Sequence, residues 1–125
     1  MQGSDNSFRW NETGGNGYAT GTADNFGIGV LSGNNNLVEE NSANGNSNGI
    51  VIFAAATNTR VRRNVAVGNA PIQQAVAVNG RGGVDIWDQS PAANNNLLTG
   101  NVCLTAINAA CPSVSADAVP RKPGK

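Results

Sequence analysis

The sequence contains no histidine, and only 13% of its 125 residues are charged. Without histidine, its two cysteines cannot form a usual zinc site. No run of eighteen apolar residues occurs, which excludes a transmembrane helix. Low charge with 39% hydrophobic content argues against a charge-driven disordered chain. The length fits one soluble folded domain.

Basic residues are scarce outside the C-terminus. Eight Lys and Arg balance eight Asp and Glu, but Arg121, Lys122 and Lys125 lie in the last five positions. The remaining chain is mildly acidic, whereas nucleic-acid phosphates call for a basic face. We therefore expect no nucleic-acid partner, and no membrane partner either.

The two cysteines, Cys103 and Cys111, lie eight residues apart near the C-terminus. Neither a CxxC redox motif nor a histidine that could activate a thiol is present. This leaves a closing disulfide or two separate buried thiols, and we favour the disulfide. A disulfide fits an exported protein, secreted or periplasmic.

A repeat becomes visible when four segments are aligned on one asparagine. An apolar residue stands three positions before each asparagine and a small residue two positions after it. The aligned asparagines are Asn11, Asn41, Asn64 and Asn101, preceded by Phe8, Val38, Val61 and Leu98 and followed by Thr13, Ala43, Ala66 and Cys103. Five positions further on come Asn16, Asn46 and Asn69, and Ala106 breaks this series.

A second series consists of short alternating segments, 27–30 (GIGV), 49–52 (GIVI) and 83–86 (GVDI). Period-two alternation predicts strands with one buried face. In this alignment Val84 and Ile86 point inward and Asp85 points outward. Each repeat therefore contains three short strands separated by bends.

Stacking such repeats about 4.8 Å apart superimposes identical positions in parallel strands. Asparagine tolerates the left-handed backbone of a sharp bend, and stacked amides can pass hydrogen bonds along the column. We therefore predict that Asn11, Asn41, Asn64 and Asn101 form a structural ladder.

The spaced asparagines and the Gly-Ile strands resemble the right-handed parallel β-helix of the pectate lyase superfamily, over about residues 4–106. The resemblance implies an all-β fold, a right-handed parallel β-helix (solenoid) of roughly four short coils. We expect a β-helix domain over 1–112 with a disulfide-closed C-terminal cap, and a disordered tail over 113–125. This fold hosts many activities, so it does not define one.

Insertions and charges mark the outside of the predicted solenoid. Ladder asparagines are 30, 23 and 37 residues apart, and the surplus falls mainly in 17–26 and 70–83, at one corner. Loops on one face of a solenoid often carry function. A separate column, formed by Arg9, Glu39, Arg62 and Thr99, is either a charged binding strip or cross-coil ion pairing, and we favour ion pairing.

The superfamily resemblance implies a sugar groove along the Gly-Ile sheet. The candidate catalytic residues are Asp85, Asp88 and Arg81, and the candidate substrate-binding residues are Trp87 and Gln89. The alternative interpretation is structural: a polar outer face at Asp85, a loop covered by Trp87 and a turn at Asp88. No metal site or other cofactor is expected; calcium has no support, because Gly29 and Val51 occupy the equivalent places on adjacent coils.

The favoured function is an extracellular carbohydrate-associated module that binds or weakly processes a polysaccharide. If it is an enzyme, it resembles a polysaccharide lyase or a glycoside hydrolase. The alternative is a structural or assembly solenoid unit without catalysis, which self-associates through its open terminal coil. Under either function the chain is expected to be a piece of a longer solenoid or to stack end to end with a second copy, and we favour a homodimer through the N-terminal coil. An enzyme of another kind has no supporting residue.

Overall fold

The computed structural model describes residues 1–16, 26–69 and 84–111. These ranges form short β-strands and one 3-10 turn, Ala92–Asn94. The strands are β1 (Ser7–Arg9), β2 (Glu12–Thr13), β3 (Ile28–Asn34), β4 (Leu37–Glu39), β5 (Ser42–Ala43), β6 (Ile50–Thr57), β7 (Arg60–Arg62), β8 (Val65–Ala66), β9 (Ile86–Asp88), β10 (Leu97–Thr99), β11 (Val102–Cys103) and β12 (Ala106–Ile107).

The strands form three parallel sheets of four strands each. The first sheet is β1-β4-β7-β10, the second is β2-β5-β8-β11 and the third is β3-β6-β9-β12. Every third strand along the chain therefore returns to the same sheet, one coil later. This arrangement is a parallel β-helix of four coils, which confirms the predicted all-β solenoid.

The bends between the sheets use left-handed backbone. Residues with positive φ stand directly before the inward asparagines, such as Asn35 (φ 63°) before Asn36 and Gly45 (φ 72°) before Asn46. Asn and Gly adopt this region at little cost. The second corner uses Trp10, Glu40 and Arg63, with φ between 55° and 58°. This corner, between the first and second sheets, is therefore where bulkier side chains carry the strain of the bend.

The interior is a set of stacked apolar columns. Val38 and Val61 pair in register and are fully buried, with Phe8 and Leu98 above and below them. Ile28, Ile50 and Ile86 form an equivalent column in the third sheet. Apolar side chains thus repeat directly over one another, so each coil covers the core of its neighbour.

The register of the third coil differs from the sequence prediction by two residues. Ile86, rather than Val84, pairs with Ile50, and Trp87 pairs with Val51. Asp85 therefore precedes the inward isoleucine, at the position that Gly49 holds one coil earlier. The predicted outward position of Asp85 is wrong, and Trp87 takes the outward place.

Charged side chains pair across the coils on the outside of the first sheet. Glu39 accepts from Arg9 at 3.1 Å and also pairs with Arg62. In the next column Glu40 lies 3.8 Å from Arg63. This confirms the ion-pairing interpretation, and because the arginines are substantially exposed, each pair contributes at most about 1 kcal/mol.

A disulfide between Cys103 and Cys111 joins the last coil to the segment after it, as predicted. Ala109 and Cys111 pack against the hydrophobic core. The loop therefore covers the C-terminal end of the solenoid. The predicted tail, 113–125, and most of the predicted loops 17–26 and 70–83 lie outside the described residues. Within the described ranges no helix is long and apolar enough to span a bilayer.

Ile50→Asp should unfold the protein or destabilise it by several kcal/mol, because Ile50 is fully buried among apolar side chains that offer a carboxylate no partner. Urea denaturation followed by circular dichroism measures the change. Leu104→Asp is the control, because Leu104 is 71% exposed. Equal stability of the two variants would contradict the stacked core.

Candidate functional site

Asp85 lies inside the solenoid, at the end of a second ladder of side chains. Asn16 donates to Asn46, Asn46 donates to Asn69, and Asn69 donates to Asp85. Oδ1 of Asp85 accepts the backbone N–H of Asn69 at 3.1 Å and its Nδ2 at 2.9 Å. Oδ2 accepts the backbone N–H groups of Leu104 and Thr105 at 2.9 and 3.0 Å. The carboxylate is thus engaged on both oxygens.

The packing around Gly49, which holds the equivalent position one coil earlier, explains why an aspartate stands here. A Cβ at Gly49 would lie 2.7 Å from the Nδ2 of Asn69, which occupies the ladder position of the next coil. The fourth coil, which follows Asp85, has no asparagine at that ladder position. Asp85 fills the vacant place with its own carboxylate, whose oxygens only accept, as the end of a chain of donors requires.

The other predicted site residues at the end of β9 lie in a turn. Asp88 occupies the register position of Ile52 and Val30. Its Oδ1 accepts hydrogen bonds from both the backbone N–H and the side-chain hydroxyl of Ser90. The backbone N–H of Gln89 donates to Ile52 O at 2.7 Å. Asp88 therefore matches the alternative prediction of a turn, and the sugar-binding role of Gln89 stays a prediction.

Trp87 lies on the outer face of the third sheet, in the column of Gly29 and Val51. Val51 is fully buried although it is not part of the interior cluster, and Trp87 is half-buried. Phe26 and Phe53, which are close in sequence to Gly29 and Val51 respectively, meet edge to face with ring centroids 5.6 Å apart. Arg81 lies outside the described residues, so the predicted five-residue site cannot be assembled from the described part of the chain.

A polar groove, which we call the amide groove, lies at the corner between the third and first sheets. It spans three coils. Its lining residues are Asn34, Asn35, Asn58, Arg60, Asn95, Asn96 and Leu97. The groove was not predicted, although the two Asn-Asn-Asn runs at 34–36 and 94–96 are visible in the sequence.

Hydrogen bonds hold the side chains of the amide groove in a column. Nδ2 of Asn58 donates to Oδ1 of Asn34 at 2.6 Å, and Nδ2 of Asn95 donates to Oδ1 of Asn58 at 3.3 Å. Asn35, Asn58 and Asn95 all have positive φ, with values of 63°, 51° and 60°. The repeated bend therefore presents one amide per coil on the surface.

Two further side chains give the groove charge and an apolar surface. Arg60 is exposed, and it forms no ion pair with any described residue. Leu97 is 55% exposed and pairs in register with Arg60. The groove thus combines neutral amides, one guanidinium and one apolar side chain.

Within the described residues, no three His, Cys, Asp or Glu side chains are grouped as metal ligands would be. Comparison with protein-family models, with curated proteins and with solved structures found no match. These comparisons therefore identify no family for the chain, and the structure shows the parallel β-solenoid alone.

Replacement of Asp85 separates its structural place from a catalytic one. Asp85→Asn turns one acceptor oxygen into a donor that faces either two backbone N–H groups or the N–H groups of Asn69. Because a buried donor is then left without an acceptor, we expect a loss of about 1 to 3 kcal/mol in the free energy of unfolding. Urea denaturation measures it.

Asp5→Asn is the matched control, because Asp5 is exposed and accepts from Asn35 through an oxygen that asparagine retains. That variant should stay within about 0.5 kcal/mol of the parent. An Asp85→Asn protein as stable as this control would show that the carboxylate does not hold the ladder.

Proposed function

We propose that the protein is a carbohydrate-associated β-helix module that binds an acidic polysaccharide along the amide groove. The observation that carries the proposal is the surface column of Asn35, Asn58 and Asn95 beside the exposed guanidinium of Arg60. Each of these amides has a second N–H and an oxygen lone pair besides the hydrogen bonds that hold the column, and sugar hydroxyl groups can use both.

The repeat distance of the solenoid suits a polymeric ligand. Successive coils of a parallel sheet are spaced about 4.8 Å apart, so the groove offers similar polar groups at regular intervals along its length. A chain of sugars can contact several coils at once, and weak single contacts then add up.

Arg60 and Leu97 give the groove selectivity. A planar guanidinium binds a carboxylate through two parallel hydrogen bonds, which favours a uronic acid over a neutral sugar. The exposed side chain of Leu97, next to Arg60 in register, offers an apolar surface for the C–H groups of a sugar ring. Together they match an acidic oligosaccharide.

Binding without cleavage is the form of the function that we favour. General acid and base catalysis of glycoside cleavage needs two carboxyl groups that can reach the scissile bond. Asp85 is buried in the ladder and Asp88 is hydrogen-bonded in a turn. Among the described residues, none that lines the amide groove is acidic, although Asp5 borders it through a hydrogen bond from Asn35.

Membership of the pectate lyase superfamily and export from the cell belong to the same proposal. The parallel β-helix and its asparagine ladders support the first. The disulfide supports the second, since disulfides persist in oxidising compartments. We propose a secreted or periplasmic location.

Arg60→Ala should weaken binding of a uronic-acid oligosaccharide by about tenfold or more, because a charge-assisted hydrogen bond contributes about 1.5 to 3 kcal/mol. Calorimetric titration, after a glycan array has identified a ligand, measures the affinity. Arg62→Ala is the matched control: it removes the same charge two residues away, outside the groove.

Three results would contradict the proposal. The array could detect no glycan, or Arg60→Ala and Arg62→Ala could bind equally well. Loss of binding in Trp87→Ala with retention in Arg60→Ala would move the site to the outer face of the third sheet. Circular dichroism of each variant shows whether any loss of binding reflects unfolding.

A further inference from the structure

The left-handed corner beside the amide groove has one residue in each coil, and the four residues are not identical. They are Asp5, Asn35, Asn58 and Asn95, with φ between 51° and 63°. The backbone N–H groups of Asp5, Asn35 and Asn58 each donate to a carbonyl of the following coil at 2.9 to 3.0 Å, so the positions are equivalent. Asp5 therefore adds a carboxylate to a column that otherwise consists of amides.

One oxygen of the Asp5 carboxylate is available to repel an anionic ligand. Its Oδ1 accepts from Nδ2 of Asn35 at 2.8 Å, whereas no described residue donates to its Oδ2. The residue is exposed. The first coil thus places a negative charge at the end of the amide groove, and a carboxylate of a ligand that lies beside it is repelled.

A second column runs beside the first, and it contains a single cation. Its members pair in register and are Ser7, Leu37, Arg60 and Leu97. Leu97 is exposed and Leu37 is half-buried, so the guanidinium of Arg60 has an apolar side chain on each adjacent coil. A carboxylate placed on either leucine would lose water without gaining a partner of opposite charge.

The spacing of the coils turns these columns into a pattern that a sugar chain can match. Parallel strands repeat about every 4.8 Å, which is close to the length of one sugar in an extended chain. Successive sugars along the groove therefore meet successive coils. One of them meets Arg60, its two neighbours meet Leu37 and Leu97, and a sugar on the first coil meets Asp5.

We propose that the amide groove selects a polysaccharide with isolated acidic sugars, in which one uronic acid binds Arg60 and the adjacent sugars are uncharged. This selectivity rests on the proposed glycan binding and specifies its ligand. The guanidinium binds the single carboxylate, and the flanking leucines contact C–H groups of neutral sugars. Asp5 is a specificity-determining residue, because it excludes a carboxylate from the first coil. A chain with a carboxylate on every sugar gains at Arg60 and loses on the other coils.

Two hexasaccharides of β-linked glucuronic acid test this selectivity. One has all its carboxylates free, and the other is methyl-esterified on every sugar except one, which removes charge but keeps the chain length and the linkage. The parental protein should bind the singly charged hexasaccharide about threefold or more tightly than the fully charged one. Calorimetric titration at low ionic strength measures both affinities, because salt screens the repulsion between exposed charges.

Asp5→Asn should raise the affinity for the fully charged hexasaccharide by about two- to fivefold, because it removes a repulsive charge and keeps the oxygen that accepts from Asn35. The affinity for the singly charged hexasaccharide should stay within about twofold, since its carboxylate lies two coils away at Arg60. Glu12→Gln is the matched control: it removes the same charge from an exposed residue of β2, on the second sheet, and should change neither affinity.

Leu97→Lys tests the apolar neighbour of Arg60 in the same way. A cation at this position gives a second carboxylate a partner, so the variant should reduce or reverse the preference for the singly charged hexasaccharide. Leu104→Lys is its control, because Leu104 is 71% exposed and does not line the amide groove.

Failure of this selectivity and failure of glycan binding give different results. If the glycan array detects no ligand, or Arg60→Ala binds as well as the parent, the proposed function is wrong and the selectivity is wrong with it. If an acidic glycan binds through Arg60 but the parent binds the two hexasaccharides equally, prefers the fully charged one or binds neither, only the selectivity is overturned. Equal effects of Asp5→Asn and Glu12→Gln would also overturn it. The comparison of ligands on the parental protein needs no variant, so it decides the question even if a variant fails to fold.

Discussion

The hydrogen bond between stacked asparagine amides is the interaction on which the rest of this structure depends. In the ladder of Asn11, Asn41, Asn64 and Asn101, each Oδ1 after the first accepts both the backbone N–H and the Nδ2 of the preceding coil, at 2.9 to 3.2 Å. The same bend that needs a left-handed residue also buries polar backbone. Unpaired polar groups there would destabilise the folded state, so the hydrogen bonds of the ladder allow sharp corners in a chain with a small core.

The ladder has a direction, and the direction makes the two ends of the molecule different. In the two buried ladders the side-chain hydrogen bonds run from each Nδ2 to the side-chain oxygen of the next coil, while Nδ2 of Asn41 and Asn46 also donates to a backbone carbonyl of the coil before. The second column ends on the carboxylate of Asp85, which also receives the N–H groups of Leu104 and Thr105. An acid that resembles a catalytic residue in the sequence is thus the terminal acceptor of a structural column. The disulfide loop then covers that end.

The proposed glycan-binding surface arises from the same repetition. At one corner the left-handed position is taken by asparagine in successive coils, and the repeated bend places their amides in a column on the surface beside Arg60.

The sequence alone determined the parts of this structure that repeat. Asn11, Asn41, Asn64 and Asn101, their apolar partners and the disulfide could be predicted, because stacking requires the same residue type at the same place in each coil. The third coil could not be aligned correctly, because the insertion at 70–83 interrupts the period and Val84 and Ile86 fit a strand in either register. Only the tertiary structure decided between the registers. A side chain at Gly49 would collide with Asn69, the ladder residue of the next coil. One coil later no asparagine follows, and the carboxylate of Asp85 takes the place of its side chain. The amide groove likewise depends on contacts between coils, since Asn34, Asn58 and Asn95 are far apart in the chain and become neighbours only when the coils stack.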